Sequence, residues 1–172
     1  MHTIKRAFKL MDNAHELAAR VGGALSWIPP TLARLAVGLI FFQSGWGKLH
    51  NLSQVTDYFT ELGLPAPGFQ ALLASTTELV CGGLLLVGFL TRFATVPLIV
   101  TMLVAIRTAL WDQVDGLSSL FGLSEFLYIV LLAWLGTNGP GPISIDWIYT
   151  TSRSDAPDDL THSTLSLAKR SA

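Results

Sequence analysis

The chain has 172 residues, of which 51% are hydrophobic and only 13% are charged, and its mean hydropathy is +0.50. The charged fraction is about half of that in soluble domains, and a formal net charge of −1 gives no indication of nucleic-acid binding, so no nucleic acid is expected as a partner. The single cysteine, Cys81, excludes an internal disulfide and a CxxC redox pair. A single membrane domain is therefore expected.

Residues 1–29 form a first segment that precedes the long apolar stretches. Apolar residues recur at helical spacing from Ala14 to Leu25, with Glu16 and Arg20 on another side. This pattern is typical of a short amphipathic helix on a membrane surface, and a solvated arm is the alternative. Pro29 and Pro30 then favour the start of a helix.

Four apolar stretches of bilayer-spanning length follow, at residues 31–49, 69–90, 93–111 and 117–135. Between the first two stretches, apolar and polar residues alternate over residues 52–62, and this pattern predicts an interfacial helix. A Gly- and Pro-rich turn at residues 63–68 is expected to end that helix. The predicted fold is an all-α bundle of four transmembrane helices. Its membrane domain covers residues 30–149, and residues 150–172 are expected to be a disordered cytoplasmic tail.

The distribution of basic residues predicts the orientation of the bundle. With four spans both termini lie on one side, and that side carries every Lys and Arg except Lys48 and Arg107. Because an excess of basic residues marks the cytoplasmic side, both termini are expected in the cytoplasm.

Glycines in the first two spans predict close helix packing. Arg34, Gly38, Phe41, Gly45 and Lys48 fall on one stripe of the first span. Glycines on such a stripe let a neighbouring backbone approach, as helices do in lipid. We expect Gly38 and Gly45, with Gly82 in the second span, to be packing positions.

Ionisable residues inside the spans are the candidate functional residues. In the predicted orientation, Lys48, Glu78, Arg107 and Glu125 lie in the outer half of the bundle, where they can converge as a charge cluster. Arg107 matches Glu125 best in depth, and Lys48 can reach Glu78 on its flexible stem. Two interpretations are open: ion pairs that fix the register of the helices, or a polar pocket that binds a head group, a quinone ring or a proton. The supporting polar residues are Arg34, Gln43, Ser44, Thr77, Thr108 and Tyr128.

No metal site is predicted. The four histidines lie outside the spans, and a lone Cys81 or Met102 is more often a packing residue than a copper ligand. No intrinsic cofactor is expected, and a quinone is the candidate small molecule.

The order of these residues resembles the DoxX family. The resemblance rests on Arg34-Leu35, Gly38, Phe41, Gly45 and Lys48-Leu49, then on Gly63-x-Pro65, then on Glu78, Gly82, Leu84-Leu85, Gly88 and Thr91-Arg92. It implies a four-helix protein of the bacterial cytoplasmic membrane, of a kind associated with quinone-linked oxidoreductases and oxidative-stress complexes. Many family members carry a histidine late in the third span, where this chain has Arg107, a poor metal ligand.

The predicted function is therefore the membrane subunit of a redox or oxidative-stress assembly that interacts with quinone or lipid. A non-catalytic scaffold that recruits a soluble partner and a small transporter are the alternatives. The expected partners are the bilayer, a soluble redox or stress-response protein and a second copy of the chain.

Overall fold

The computed structural model describes residues 15–16, 19–20, 22–23 and 25–154, and over these ranges the chain forms helices and turns without a strand. The all-α fold class is confirmed. The helices are α1 (Ile28–His50), α2 (Leu52–Glu61), α3 (Pro67–Val87), α4 (Thr91–Ala109), α5 (Leu117–Gly122), α6 (Ser124–Asn138) and α7 (Ile145–Ser154), with a 3-10 turn at Trp111–Gln113.

The two ends of the chain are described in part. The described residues between 15 and 25 have helical backbone and are exposed, and Glu16 and Arg20 form an exposed ion pair of 3.8 Å. Helix α7 continues to Ser154. The other residues of the amphipathic arm and residues 155–172 of the predicted tail lie outside the described residues, so both predictions stay predictions.

Proline and glycine set the ends of the long helices. Prolines occupy the first turns of α1 and α3, where a missing backbone N–H costs least. Helix α3 ends at Gly88, which has φ +72° and donates its N–H to the carbonyl of Leu84 at 2.9 Å. This left-handed residue lets the chain reverse within three residues and begin α4 at Thr91.

The core lies where two helix pairs meet. Helix α1 packs mainly against α3, and α4 packs mainly against α6. The buried apolar residues come from all four helices: Val37, Phe41, Cys81, Leu85, Ala94, Leu98, Met102 and Leu132.

Polar side chains are buried in this bundle while large apolar side chains face outward. Ser75, Glu78 and Thr95 are at most 1% exposed. Phe93 and Phe69, by contrast, are 76% and 67% exposed. An apolar exterior around a polar interior is the arrangement that lipid, and not water, stabilises.

The number of spans is supported in part. Among the described helices, α3 and α4 are each long and apolar enough to cross a bilayer. Helix α1 has 23 residues but contains Arg34, Gln43 and Lys48, which lower its hydropathy. The four-span count stays a prediction.

The predicted fourth span is not one continuous helix, which corrects the expectation for residues 117–135. The chain is extended at Leu123 (φ −73°, ψ 134°), between α5 and α6. Gly122 precedes this break, and glycine is the weakest helix former after proline. Helix α6 has 15 residues, a length of about 22 Å, which is shorter than the bilayer core.

Candidate functional site at the end of helix α1

Helices α1 and α3 approach each other through glycines. A Cβ atom built on Gly45 would overlap the backbone of α3, lying 2.7 Å from the carbonyl oxygen of Ser75. A Cβ on Gly82 would lie 2.5 Å from the amide nitrogen of Phe42, and one on Gly38 would lie 3.0 Å from that of Leu86. These three glycines therefore permit the close contact that brings polar side chains of the two helices together.

The closest polar contact joins Lys48 of α1 to Glu78 of α3. The Nζ atom of Lys48 lies 2.6 Å from Oε1 and 2.8 Å from Oε2 of Glu78. The hydroxyl of Ser44, one turn before Lys48, donates a hydrogen bond of 2.8 Å to Oε2. Three donor–acceptor contacts thus fix the Glu78 carboxylate, two of them charge-assisted.

The two charged members of this site differ in exposure. Glu78 is 1% exposed, whereas the side chain of Lys48 is 34% exposed. An ammonium has three N–H groups, and Glu78 accepts from two positions on it. The third N–H of Lys48 can therefore donate to a group that reaches the site from outside the bundle.

A shallow hollow lies on the outward face of α1, near the C-terminal end of the helix. It has a volume of about 300 Å³ and is lined by Phe42, Gln43, Trp46 and Gly47. Phe42 and Trp46 precede Ser44 and Lys48 by two positions each, a rotation of about 200° on a helix, so the hollow faces away from the polar site. It is mostly apolar, with one amide side chain.

Arg107 and Glu125 lie apart from the Lys48–Glu78 pair. Arg107 is exposed, and its guanidinium stacks over the ring of Trp111 at 5.1 Å. Glu125 is half-buried and accepts a hydrogen bond of 3.0 Å from the hydroxyl of Ser124. No ion pair within residues 25–152 joins Arg107 to either carboxylate.

The remaining predicted supporting residues contribute unequally. Gln43 lines the hollow, and Thr77 is half-buried next to Glu78. The hydroxyl of Thr108 donates to the carbonyl of Val104 in its own helix. The ring of Tyr128 meets Phe41 edge-on at 5.8 Å, which makes it part of the core.

Arg34 lies at the opposite end of α1, about 21 Å from Lys48 along the helix axis. It is 3% exposed, and its guanidinium donates to the carbonyls of Pro140 and Ile143 at 3.3 and 2.6 Å. We call this the Arg34 end of the bundle, where α1 begins, α3 turns into α4 and α6 ends. The opposite end, where α1 ends and α3 begins, is the Lys48 end.

Asp146 also lies at the Arg34 end, and the sequence analysis did not identify it as a site residue. Its carboxylate accepts the backbone N–H groups of Leu90 and Thr91 at 2.8 and 2.9 Å, at the start of α4. Its own N–H donates to the carbonyl of Gly88 at 3.0 Å. An acidic residue soon after the Gly- and Pro-rich run at 139–142 was the available signal for a cap of this kind.

The described residues contain no group of three His, Cys, Asp or Glu side chains placed to hold a metal ion. Cys81 lies buried among apolar side chains of the core.

Comparison with known proteins covers much of the bundle. A model of the DoxX family matches residues 30–111. The uncharacterized membrane protein Rv3486 of Mycobacterium tuberculosis is 35% identical over 134 residues, 69% of this chain and 80% of that protein. The "Putative oxidoreductase CatD" of Bacillus subtilis is 33% identical over 59% of this chain and 70% of its own length. The inner membrane protein YphA of Escherichia coli is 32% identical over 67% of this chain and 86% of its own length. No solved structure matches the chain.

Proposed function

The chain belongs to the DoxX family of membrane proteins, and we propose that it is the membrane subunit of a redox or oxidative-stress assembly. In this proposal the Ser44, Lys48 and Glu78 side chains bind the polar ring of a quinone, or the polar group of a lipid, at the Lys48 end. The location of the protein would be the bacterial cytoplasmic membrane. The similarity to an Escherichia coli inner membrane protein and to a Bacillus subtilis protein named as an oxidoreductase supports both parts.

The observation that carries the proposal is the unequal exposure of the pair. The Glu78 side chain is 1% exposed, whereas the Lys48 side chain that holds its carboxylate is 34% exposed. Partial exposure lowers the cost of desolvating the lysine, and it also gives an external ligand the access that a binding site requires. Lys48, the more exposed residue of the pair, is also the one that has a further hydrogen-bond donor.

The residues fit a quinone head group. A quinone presents carbonyl oxygens on a flat apolar ring and takes up protons together with electrons when it is reduced. Lys48 can donate its third N–H to such an oxygen. Glu78 holds Lys48 in place and is the group of this site that can hold a proton.

Orientation is part of the proposal. Four spans with both termini in the cytoplasm place the Lys48 end at the outer side of the membrane. Reporter fusions at Gly116 should then report an external location, and fusions at Ser152 a cytoplasmic one. An external signal at Ser152 would refute this orientation.

The experiment that tests the proposal identifies what the protein carries. The full chain is purified from its own membrane in mild detergent, and bound small molecules and proteins are identified by mass spectrometry. The control is the double variant Lys48→Met with Glu78→Met, which removes both charges together and keeps the side chains large.

We expect quinone or lipid with the wild-type protein, and a clear loss of that molecule from the double variant. If both proteins retain the same soluble partner and neither carries a small molecule, the protein is a scaffold. That result would refute a ligand site at Lys48 and Glu78.

A further inference from the structure

A second and larger hollow lies at the Arg34 end, away from the Lys48–Glu78 pair. It has a volume of about 550 Å³ and lies between the start of α4, the end of α6 and helix α7. Its lining includes Arg92, Phe93, Gly139, Asp146, Trp147 and Tyr149. The start of α4 and the end of α6 place it where helices of the bundle reach the membrane boundary.

Arg92 supplies a positive charge in this hollow. Its side chain is exposed, and its guanidinium makes neither an ion pair nor a hydrogen bond with any residue in the described part of the chain. The guanidinium lies beside the backbone of Gly139, since a Cβ built there would be 3.7 Å from Nη2. An arginine so placed can donate two parallel hydrogen bonds to a phosphate group.

Asp146 is the acidic residue of the hollow, and its charge is already compensated. Its carboxylate accepts two backbone N–H groups, from Leu90 and Thr91, and the buried cation of Arg34 is close enough to interact with it. The carboxylate is therefore held at the start of α4 and forms no ion pair with Arg92 within the described residues, so the guanidinium stays available to an anion.

The rim of the hollow is apolar and aromatic. Phe93, Trp147 and Tyr149 are 76%, 47% and 67% exposed. Tryptophan and tyrosine prefer the level of the lipid head groups, and Phe93 starts the outward apolar face of α4. An occupant that combines an anionic phosphate with long apolar chains matches both the charge and the rim.

We propose that this hollow binds a phospholipid with an anionic head group, whose phosphate is held by Arg92 and whose chains lie along the exposed face that begins at Phe93. The proposal is independent of the Lys48–Glu78 site, because the two sites share no residue and lie at opposite ends of the bundle. Basic pockets between membrane helices are known sites for anionic lipids.

The test is native mass spectrometry of the full chain in detergent, with dioleoyl phosphatidylglycerol or dioleoyl phosphatidylcholine added. We expect wild-type protein to retain more phosphatidylglycerol than phosphatidylcholine. Arg92→Gln should reduce that preference roughly tenfold, because a charge-assisted phosphate contact is lost. Arg92→Lys should retain part of it, since lysine keeps the charge but not the planar fork.

Arg107→Gln is the matched control, because Arg107 is also an exposed arginine of α4 but lies at the Lys48 end. It should leave the preference unchanged. An equal preference in wild type and Arg92→Gln would overturn the proposal. Displacement of the lipid by millimolar inorganic phosphate would also overturn it, because the occupant would then be a soluble anion.

Discussion

The two ends of the bundle handle a buried charge in different ways. At the Arg34 end the buried group is a cation, and it donates to the backbone carbonyls of Pro140 and Ile143. At the Lys48 end the buried group is the anion Glu78, and its partners are the side chains of Lys48 and Ser44. The first charge is held by main chain that comes from another part of the fold, and the second by side chains of one neighbouring helix.

In the proposed function, this difference corresponds to a structural role for Arg34 and a ligand-binding role for Lys48 and Glu78. Arg34 is 3% exposed and connects α1 to the segment that leads into α7, so that a ligand from outside has no access to it. Lys48 is 34% exposed and retains a donor. Main-chain carbonyls cannot take up a proton, whereas a carboxylate can. In the proposed function, the Lys48 end supplies an accessible hydrogen-bond donor and a carboxylate beside it.

The largest expected effect comes from removing the exposed member of the pair. Lys48→Met leaves the Glu78 carboxylate buried with only the Ser44 hydroxyl, which should cost roughly 3–5 kcal/mol in the free energy of unfolding. Glu78→Gln should cost less, about 1 kcal/mol, because the half-exposed ammonium can turn toward the membrane surface. Unfolding in detergent, followed for both single variants and the double variant, measures these values.

The double variant Lys48→Met with Glu78→Gln should recover most of the stability that Lys48→Met loses. If Lys48→Met and Glu78→Gln lowered the free energy of unfolding equally, the two residues would form a symmetrically buried structural pair. That result would contradict the difference described between the two ends of the bundle.

The next effect tests the packing that creates the site. Gly45→Leu places a side chain against the α3 backbone near Ser75 and Leu79, where backbone cannot move aside. Overpacking of this kind should cost roughly 1–3 kcal/mol. Gly47→Leu is the control, because a Cβ there meets no atom within 4 Å. The melting temperatures of the two variants are measured in detergent. If both fall by the same amount relative to wild type, α1 and α3 are not in contact at Gly45.

A smaller effect is expected at the Arg34 end. Asp146→Ala removes the acceptor of two N–H groups at the start of α4, and losing such a cap should cost about 0.5–2 kcal/mol. Asp146→Asn keeps one acceptor oxygen and should cost less. The free energy of unfolding in detergent measures both. If Asp146→Ala lost as much free energy of unfolding as Lys48→Met, Asp146 would stabilise the Arg34 end as strongly as Lys48 stabilises the buried Glu78.

Features that depend on local sequence could be predicted. Apolar stretches bounded by proline and glycine correctly indicated helices α1, α3 and α4, to within a few residues. The contact between Lys48 and Glu78 could be predicted, because the two residues have opposite charges and lie at similar depths in the predicted bundle. The break at Leu123 was not, because a helix can continue through a glycine when packing stabilises it.

Features that depend on helix rotation could not be predicted. Depth alone matched Arg107 to Glu125, but the rotation of α4 turns Arg107 outward, over Trp111. Likewise, the partners of Arg34 are backbone carbonyls more than 100 positions away along the chain, which no side-chain pattern identifies. The hydrogen bond from the Leu90 N–H to Asp146 could not be predicted either, since it also joins a side chain to backbone that is distant in sequence.

Equilibrium binding of a short-chain quinone to the protein in phosphatidylcholine nanodiscs tests whether Lys48 and Glu78 form a ligand site. Saturable binding to wild type is predicted. Glu78→Gln should weaken it roughly tenfold, because glutamine has one acceptor oxygen where the carboxylate has two to hold Lys48. Asp146→Asn, at the opposite end, should leave the affinity unchanged. The same affinity for wild type and a folded Glu78→Gln variant would contradict the account.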